Sequence, residues 1–161
     1  PTMKFLHCTQ CGQRVFFEST QCVNCGSRLG FVPEELQMVS FDSTDPSAWQ
    51  RLGPQGAAQR PCQNYSLEGV CNWMVPASDP TTYCMSCRTT HIIPALGTPE
   101  NVSYWTLLER AKRRLAYTLL ALKLPRFLVQ WVDCSHPVVV QVNYLLTRMR
   151  KFLFQRFPSS T

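Results

Sequence analysis

The chain has 161 residues, nine of them cysteines, and a formal net charge of +6. That length suffices for one ordinary domain or two small ones, and no apolar run reaches the ~18 residues of a membrane-spanning helix. Residues 1–125 carry 11 Lys/Arg against 9 Asp/Glu, a net charge of +2, whereas residues 126–161 carry 5 against 1, a net charge of +4. Because the positive charge is concentrated in the tail, composition does not predict a uniformly basic nucleic-acid-binding surface.

The number and spacing of the cysteines indicate metal binding rather than disulfides. Nine is an odd count, and three of the cysteine pairs are Cys-x-x-Cys, a spacing at which structural disulfides are uncommon. The residues before Cys8 do not resemble a secretory signal. We therefore expect metal-bound thiolates in a reducing compartment, the cytoplasm.

The first predicted unit is a pair of Cys-x-x-Cys-Gly turns that flank a short run of strand-forming residues. Its cysteines have the spacing C-x2-C-x10-C-x2-C and are Cys8, Cys11, Cys22 and Cys25. The glycines after each pair, Gly12 and Gly26, tolerate the positive φ that such turns need. Four thiolates favour a tetrahedral zinc ion, with iron as the alternative, and they leave no open position for catalysis. The sequence therefore predicts a structural zinc ribbon over residues 1–41.

A second cysteine group follows a segment rich in Pro, Gly, Ser and Ala, which predicts a linker over residues 42–61. The group has the spacing C-x8-C-x12-C-x2-C and consists of Cys62, Cys71, Cys84 and Cys87. The stretch "VCNWMVP" predicts a short strand beside Cys71. We predict a second zinc unit with four cysteine ligands over residues 62–97, and hence two structural zinc ions per chain.

The histidines and the ninth cysteine leave alternatives open at these sites. His91 lies four residues after Cys87 and is the alternative to one cysteine ligand, although four cysteines already complete the shell. His7 is expected to shield the first site rather than to bind the ion. Cys134 has no partner at ligand spacing and is expected to be a buried or free thiol.

Residues 98–125 predict a long amphipathic helix, with Thr98 as its N-cap and Pro99 in its first turn. Its apolar residues fall near one face: Val102, Trp105, Leu108, Leu115, Leu119 and Leu122. The helix also carries a cluster of four basic residues: Arg110, Lys112, Arg113 and Arg114. This cluster could contact phosphates, but we favour a solvated face that includes a Glu109–Arg113 ion pair. Four aromatic residues are expected to fill cores rather than to stack on bases: Trp49, Trp73, Trp105 and Tyr83. The predicted fold class is α+β.

The order of these motifs resembles that of a known family. "MKFLHCTQCG", "VFFESTQCVNCGSRLGF", "RPCQNYSLEGVCNWMVPASDPTTYCMSCR" and the helix containing "AKRRLAYTLL" resemble the N-terminal half of bacterial zinc-dependent metallopeptidases that begin with a zinc ribbon. The resemblance covers roughly residues 3–125. It implies that the first four cysteines belong to the ribbon and that the second four lie at the start of a peptidase-like region.

The same resemblance implies a later catalytic part with a His-Glu-x-x-His helix, whose histidines hold zinc and whose glutamate acts as base. This sequence contains no such motif, so we expect the chain to be catalytically inactive alone. The resemblance ends near Pro125, and residues 126–161 form an atypical basic tail. Our hypothesis is a frame-shifted or truncated end; the alternative is a basic amphipathic helix around "YLLTRMRKFLFQRF".

Three function classes therefore compete: a structural zinc module, an active hydrolase and a nucleic-acid- or protein-binding zinc ribbon. The hydrolase needs an open metal position and a general base, which neither cysteine group offers. Residues 7–31 contain only Arg14 and Arg28 against Glu18, so the case for nucleic acid has little support. The sequence favours the zinc module and leaves its partner unknown; a protein partner stays open as an alternative.

Overall fold

A computed structural model of the chain describes residues 5–44 and 49–124. Its strands are β1 (Leu6–His7), β2 (Arg14–Val15), β3 (Arg28–Val32), β4 (Gln37–Asp42), β5 (Gln50–Leu52), β6 (Gln59–Pro61) and β7 (Met74–Pro76). Its helices are α1 (Gln63–Ser66), a 3₁₀ turn (Cys87–Thr89) and the long α2 (Pro99–Ala121). These elements confirm the predicted α+β class. The predicted tail and Cys134 lie outside the described residues.

The strands form three small antiparallel sheets. β1 pairs with β2, and β6 pairs with β7. The central sheet has the order β3-β4-β5, with Gly30 opposite Val39 in its register. A tight turn connects β3 to β4, and Leu36 within it has a positive φ of 51°. None of the helices in the described ranges is long and apolar enough to cross a membrane.

The β3 strand is buried on both faces because the second cysteine unit packs against it. Leu29, Phe31 and Val32 have no exposed surface, and the backbone N–H of Phe31 donates to the carbonyl of Asn72 at 2.8 Å. A larger residue at position 30 would force the buried side chain of Met74 to move, since a Cβ there would lie 2.3 Å from its sulfur. The two predicted zinc units therefore share one core.

Aromatic side chains build the centre of that core. The ring of Phe31 lies 4.9 Å from Trp73 and 5.7 Å from Tyr117 of α2, measured between centroids. Phe17 packs edge-on against Phe31 at 5.0 Å. As predicted, Trp73 and Trp105 are buried and Trp49 is partly buried, whereas Tyr83 is 38% exposed.

The segment predicted as a linker, residues 42–61, contains two strands. β5 pairs with β4, and β6 pairs with β7. Arg51 in β5 also forms a bidentate ion pair with Glu35, with both N–O distances at 2.6 Å. Backbone pairing of mostly polar residues holds this segment, which is why a composition rich in Pro, Gly and Ala did not reveal it.

Helix α2 begins where predicted. Thr98 adopts an extended conformation before it, Pro99 is its first residue, and the helix ends at Ala121. The face it buries differs from the predicted one. Its buried residues are Trp105, Glu109, Arg113, Ala116 and Leu119, whereas Leu108 and Leu122 are 68% and 55% exposed.

The basic cluster of α2 is divided between core and solvent, so the predicted solvated face is wrong for two of its members. The guanidinium of Arg113 is buried and donates to the carbonyl of Val70 at 2.5 Å. Lys112 is largely buried and pairs with Glu109 at 2.8 Å, in place of the predicted Glu109–Arg113 pair. Arg114 is exposed and pairs with Glu18 at 2.6 Å.

Candidate metal centres

The first quartet of sulfurs consists of Cys8, Cys11, Cys22 and Cys25. All four sulfur atoms lie within 4.8 Å of one another. Cys8 follows β1 and Cys22 precedes β3, so the short strands bring the two turns face to face. The sulfurs of Cys8 and Cys25 are 3.6 Å apart, as are those of Cys11 and Cys22.

The two turns of the first quartet have the same backbone geometry. In each, the N–H of the glycine donates to the carbonyl of the first cysteine at 2.9 Å, and the glycine has a positive φ. These are Gly12, with φ +75°, and Gly26, with φ +72°. The positive φ is the conformation for which the sequence predicted glycine.

The environments of these four thiols differ. Cys8 and Cys22 are buried, and Cys11 and Cys25 are exposed. Desolvation raises the pKa of Cys22 to about 11, whereas hydrogen bonding to Ser27 lowers the pKa of Cys25 to about 6. The hydroxyl of Ser40 lies 3.0 Å from the sulfur of Cys8, within reach to donate to its thiolate.

The second quartet consists of Cys62, Cys71, Cys84 and Cys87. Its sulfurs also lie within 4.8 Å of one another, and all four residues are buried. Cys62 joins β6 to α1, Cys71 lies shortly before β7, and the turn from Cys84 to Cys87 leads into the 3₁₀ helix. The eight residues between Cys62 and Cys71 thus form α1 and the loop that follows it.

Backbone N–H groups surround the second quartet. The N–H of Trp73 donates to the sulfur of Cys71 at 3.4 Å, and that of Cys84 donates to Cys62 at 3.3 Å. The N–H of Cys87 donates to the sulfur of Cys84 at 3.4 Å. Such bonds stabilise thiolate charge in a buried region.

The pKa values of three thiols in the second quartet are shifted in opposite directions. Hydrogen bonds from the other three cysteines, Cys71 first, lower the pKa of Cys62. Burial raises the pKa of Cys84, and the sulfur contacts with Cys62 and Cys71 raise the pKa of Cys87. Four thiolates can coexist here only when a cation compensates their charge, so metal binding must release protons.

Both quartets fit zinc by geometry. Sulfurs at ~2.3 Å from a tetrahedral zinc ion are ~3.8 Å apart along each edge. The observed separations of 3.6 Å in the first quartet and 3.8 Å between Cys71 and Cys84 agree with that edge. None of the eight cysteines forms a disulfide. The quartets therefore fit the two predicted structural zinc ions.

His7 and His91, the two described histidines, lie outside both groups. Among the described residues, each cluster able to hold a metal contains only cysteines. His91 is exposed, and His7 is exposed on β1 beside the first quartet. Sequence reasoning missed Glu109 of α2, whose carboxylate lies 3.8 Å from the sulfur of Cys87. The sequence signal that could have indicated this contact is the position of Glu109 as a single acidic residue in the middle of the helix.

Comparison with known proteins identifies the family. Residues 5–98 match the zinc-ribbon domain family. The chain is 35% identical, over 124 residues, to uncharacterized proteins of Mycobacterium bovis and of two strains of Mycobacterium tuberculosis. That region covers 76% of this chain and 32% of each relative, so the chain spans about a third of the length of these curated relatives. No solved structure matches the chain significantly.

The family match extends past residue 41, the predicted end of the ribbon. It includes the second quartet, which the resemblance to metallopeptidases had placed at the start of a peptidase-like region. This extent agrees with the core that the two units share through Phe31 and Trp73. The match covers more than half of the residues and both sulfur quartets, and the chain therefore belongs to the zinc-ribbon domain family.

Proposed function

We propose that this chain is a non-catalytic zinc module that binds one structural zinc ion in each quartet. Its eight cysteines act as ligands and the ions hold the shared core together. In this proposal the module forms the N-terminal part of a longer zinc-dependent metallopeptidase and works in the cytoplasm.

The completeness of each quartet is the observation that carries the proposal. Four sulfurs within 4.8 Å fill the tetrahedral shell of a zinc ion and leave no position for water or substrate. A hydrolytic zinc site instead keeps one position open and places a general base beside it. The burial of the second quartet also keeps substrate away from its ion.

The link to a metallopeptidase is supported more indirectly. The resemblance of the cysteine order and of the "AKRRLAYTLL" helix suggests it. The matched region occupies only 32% of each relative, so a further domain has room in those proteins. The relatives are described only as uncharacterized proteins, so they indicate no activity.

Metal counting on the purified chain tests the zinc proposal. We expect about two zinc ions per chain by plasma mass spectrometry. Cys25→Ser should reduce the count by one, and so should Cys71→Ser. The matched control is Cys134→Ser, which removes a cysteine outside both quartets and should leave two ions. A count of one in the unsubstituted chain would contradict the assignment of the second quartet.

A protease assay tests the absence of catalysis. The zinc-loaded chain is expected to leave labelled casein intact, with or without a chelator. Cleavage that disappears on chelation and returns with zinc would show an open metal site and reverse this part of the proposal.

Nucleic-acid binding is the alternative, and the position of the basic residues gives it less support. Arg113 is buried, Lys112 is largely buried, and Arg114 is already paired with Glu18. A phosphate-binding surface needs exposed cations that can release counterions. Binding of labelled single- or double-stranded DNA that weakens steeply with salt would favour the alternative.

A further inference from the structure

Arg113 of α2 carries a buried positive charge for which the described residues supply no carboxylate. The residue is 4% exposed, and its Nη1–H donates to the carbonyl of Val70 at 2.5 Å. Its Nε–H has no acceptor within residues 5–44 and 49–124, and every ion pair in those ranges joins other residues. A guanidinium stays charged when it is buried, and buried charges in proteins are normally paired.

The acidic residues around Arg113 have other partners or face solvent. Glu109, one turn earlier on α2, is paired with Lys112 at 2.8 Å. Glu18 is paired with the arginine adjacent to Arg113 at 2.6 Å. Glu68 lies two residues before Val70 in the sequence, but it is exposed. Within the described ranges, the charge that compensates Arg113 therefore has to come from a group other than a carboxylate.

The second quartet is such a group when it holds zinc. Four thiolates around one zinc ion leave about two negative charges on the site. The four cysteines are at most 4% exposed, so water cannot solvate this charge, and three backbone N–H groups offset only part of it. In the first quartet, Cys11 and Cys25 are exposed, and solvent compensates the charge there. A buried quartet needs a cation from the protein instead.

Arg113 lies beside the second quartet. Val70, whose carbonyl accepts its hydrogen bond, directly precedes the ligand Cys71. Covalent geometry separates a carbonyl oxygen from the sulfur of the following cysteine by at most ~5.5 Å, so Nη1 lies within about 8 Å of the Cys71 sulfur. On the same buried face of α2, Glu109 lies 3.8 Å from the sulfur of Cys87. Salt and water screen charges only weakly over such a distance in a buried region.

We propose that Arg113 is the internal counter-ion of the zinc-loaded second quartet, and that its positive charge raises the affinity of this quartet for zinc. The inference rests on the proposed function, because it requires zinc at the second quartet. Arg113 acts through its charge and through the backbone of Val70, and not as a ligand. Residues outside the ligand shell typically change metal affinity about 10–100-fold. This role also explains why α2, which supplies no ligand, buries an arginine.

Competition for zinc between the full chain and a chromophoric chelator tests the proposal with two substitutions. Arg113→Gln removes the charge but keeps N–H donors for the carbonyl of Val70, whereas Arg113→Lys keeps the charge. We expect Arg113→Gln to weaken zinc binding at the second quartet about 10–100-fold, and Arg113→Lys to retain most of the affinity. Cys71→Ser identifies which of the two measured affinities belongs to the first quartet, and that affinity should not change.

The matched control is Arg114→Gln, which removes the same charge from the next position of the same helix. The side chain of Arg114 is 63% exposed and is paired with Glu18 at the surface, where solvent screens its charge. The affinity of the second quartet for zinc should therefore change less than about twofold in this variant. Circular dichroism of each zinc-loaded variant establishes that α2 is folded.

Three results would overturn the inference while leaving the proposed function intact. Arg113→Gln could bind zinc as tightly as the unsubstituted chain. Arg113→Gln and Arg113→Lys could weaken binding equally, or both lose the second ion, which would assign the effect to packing rather than to charge. Arg114→Gln could weaken binding as much as Arg113→Gln, which would indicate a general effect of net charge. An unsubstituted chain that binds fewer than two zinc ions would instead contradict the proposed function, and this inference with it.

Discussion

At the scale of single residues, Asn72 connects the two zinc units. Its side-chain amide donates to the carbonyl of Phe17 at 2.6 Å and to that of Ser19 at 3.4 Å. Its backbone carbonyl accepts the N–H of Phe31 at 2.8 Å. Because the residue is only 1% exposed, water cannot replace these bonds in the folded state.

Replacing Asn72 with alanine should destabilise the zinc-loaded chain by about 1–3 kcal/mol, because it leaves two carbonyls of the first unit without their donor. Urea unfolding followed by tryptophan fluorescence measures this. The control is Asn101→Ala, because the side-chain amide of Asn101 donates its hydrogen bond to the carbonyl of Ala95 at the surface. This substitution should lower the free energy of unfolding by less than about 0.5 kcal/mol. Equal losses in the two variants would contradict a linking role for Asn72.

A second residue, Tyr65, makes the stability of the fold depend on pH in alkaline solution. Its buried hydroxyl donates to the carbonyl of Leu29 at 2.7 Å, and burial raises its pKa to about 12. The unfolded chain releases this proton near pH ~10. The resulting stability is complete below about pH 10 and is lost as the pH rises from about 10 through 12.

Tyr65→Phe should therefore flatten the decline of unfolding free energy between about pH 9.5 and pH 11.5. At neutral pH the same variant should be less stable by about 1 kcal/mol, the contribution of the lost hydrogen bond. Urea titrations of both proteins across this range measure the two slopes. Parallel slopes would mean that Tyr65 titrates alike in the folded and unfolded chains.

At the scale of elements, the sequence predicted the position of α2 better than its orientation. Hydrophobic periodicity placed Leu108 and Leu122 inside, yet both are exposed, while Glu109 and Arg113 are buried. The reason is the surface against which α2 packs. It contains polar groups that need a partner, such as the carbonyl of Val70, and only polar side chains can satisfy them. A periodicity argument contains no information about that surface.

The cysteine quartets were predictable because ligand geometry imposes a short-range pattern on the sequence. Two sulfurs on one tight turn require the spacing Cys-x-x-Cys. The residue after each such pair in the first quartet is a glycine, Gly12 or Gly26, because φ is positive at that position. The strands β5 and β6 impose no such pattern. Each has three residues, held by backbone pairing with β4 and β7. Their formation depends on pairing with strands elsewhere in the sequence. Composition alone therefore predicted a linker for residues 42–61.

Glu109 is the residue through which α2 is attached to the second quartet. Its carboxylate accepts hydrogen bonds from Thr90 at 2.7 Å, Trp105 at 3.2 Å and Lys112 at 2.8 Å. It is 2% exposed, so loss of the carboxylate leaves the largely buried ammonium group of Lys112 without its charged partner.

Glu109→Ala should destabilise the chain by about 3–5 kcal/mol, as is typical when one member of a buried ion pair is removed. The signal to follow is helical circular dichroism during urea unfolding. Glu100→Ala is the control, since Glu100 is exposed in the first turn of α2 and should cost well under about 1 kcal/mol. If both variants unfold at the same urea concentration, Glu109 does not attach the helix.

At the scale of the whole molecule, the two metal centres differ in their access to solvent. Cys11 and Cys25 of the first quartet are exposed, whereas all four cysteines of the second quartet are at most 4% exposed. The second quartet also contacts the shared core and α2: the sulfur of Cys71 accepts the N–H of Trp73, and the sulfur of Cys87 lies 3.8 Å from the carboxylate of Glu109. A chelator can thus reach the first ion directly but needs partial unfolding to reach the second.

Zinc release should therefore occur in two phases of about one ion each when the chain is mixed with excess chelator and a zinc-sensitive dye. The fast phase belongs to the first quartet, and Cys25→Ser should abolish it. The slow phase belongs to the second quartet, and its rate should rise with low concentrations of urea, because release then depends on opening of the shared core. Loss of helical circular dichroism should accompany the slow phase and not the fast one. Release of both ions in a single phase, together with the helix signal, would instead show that the first ion also supports the packing of α2.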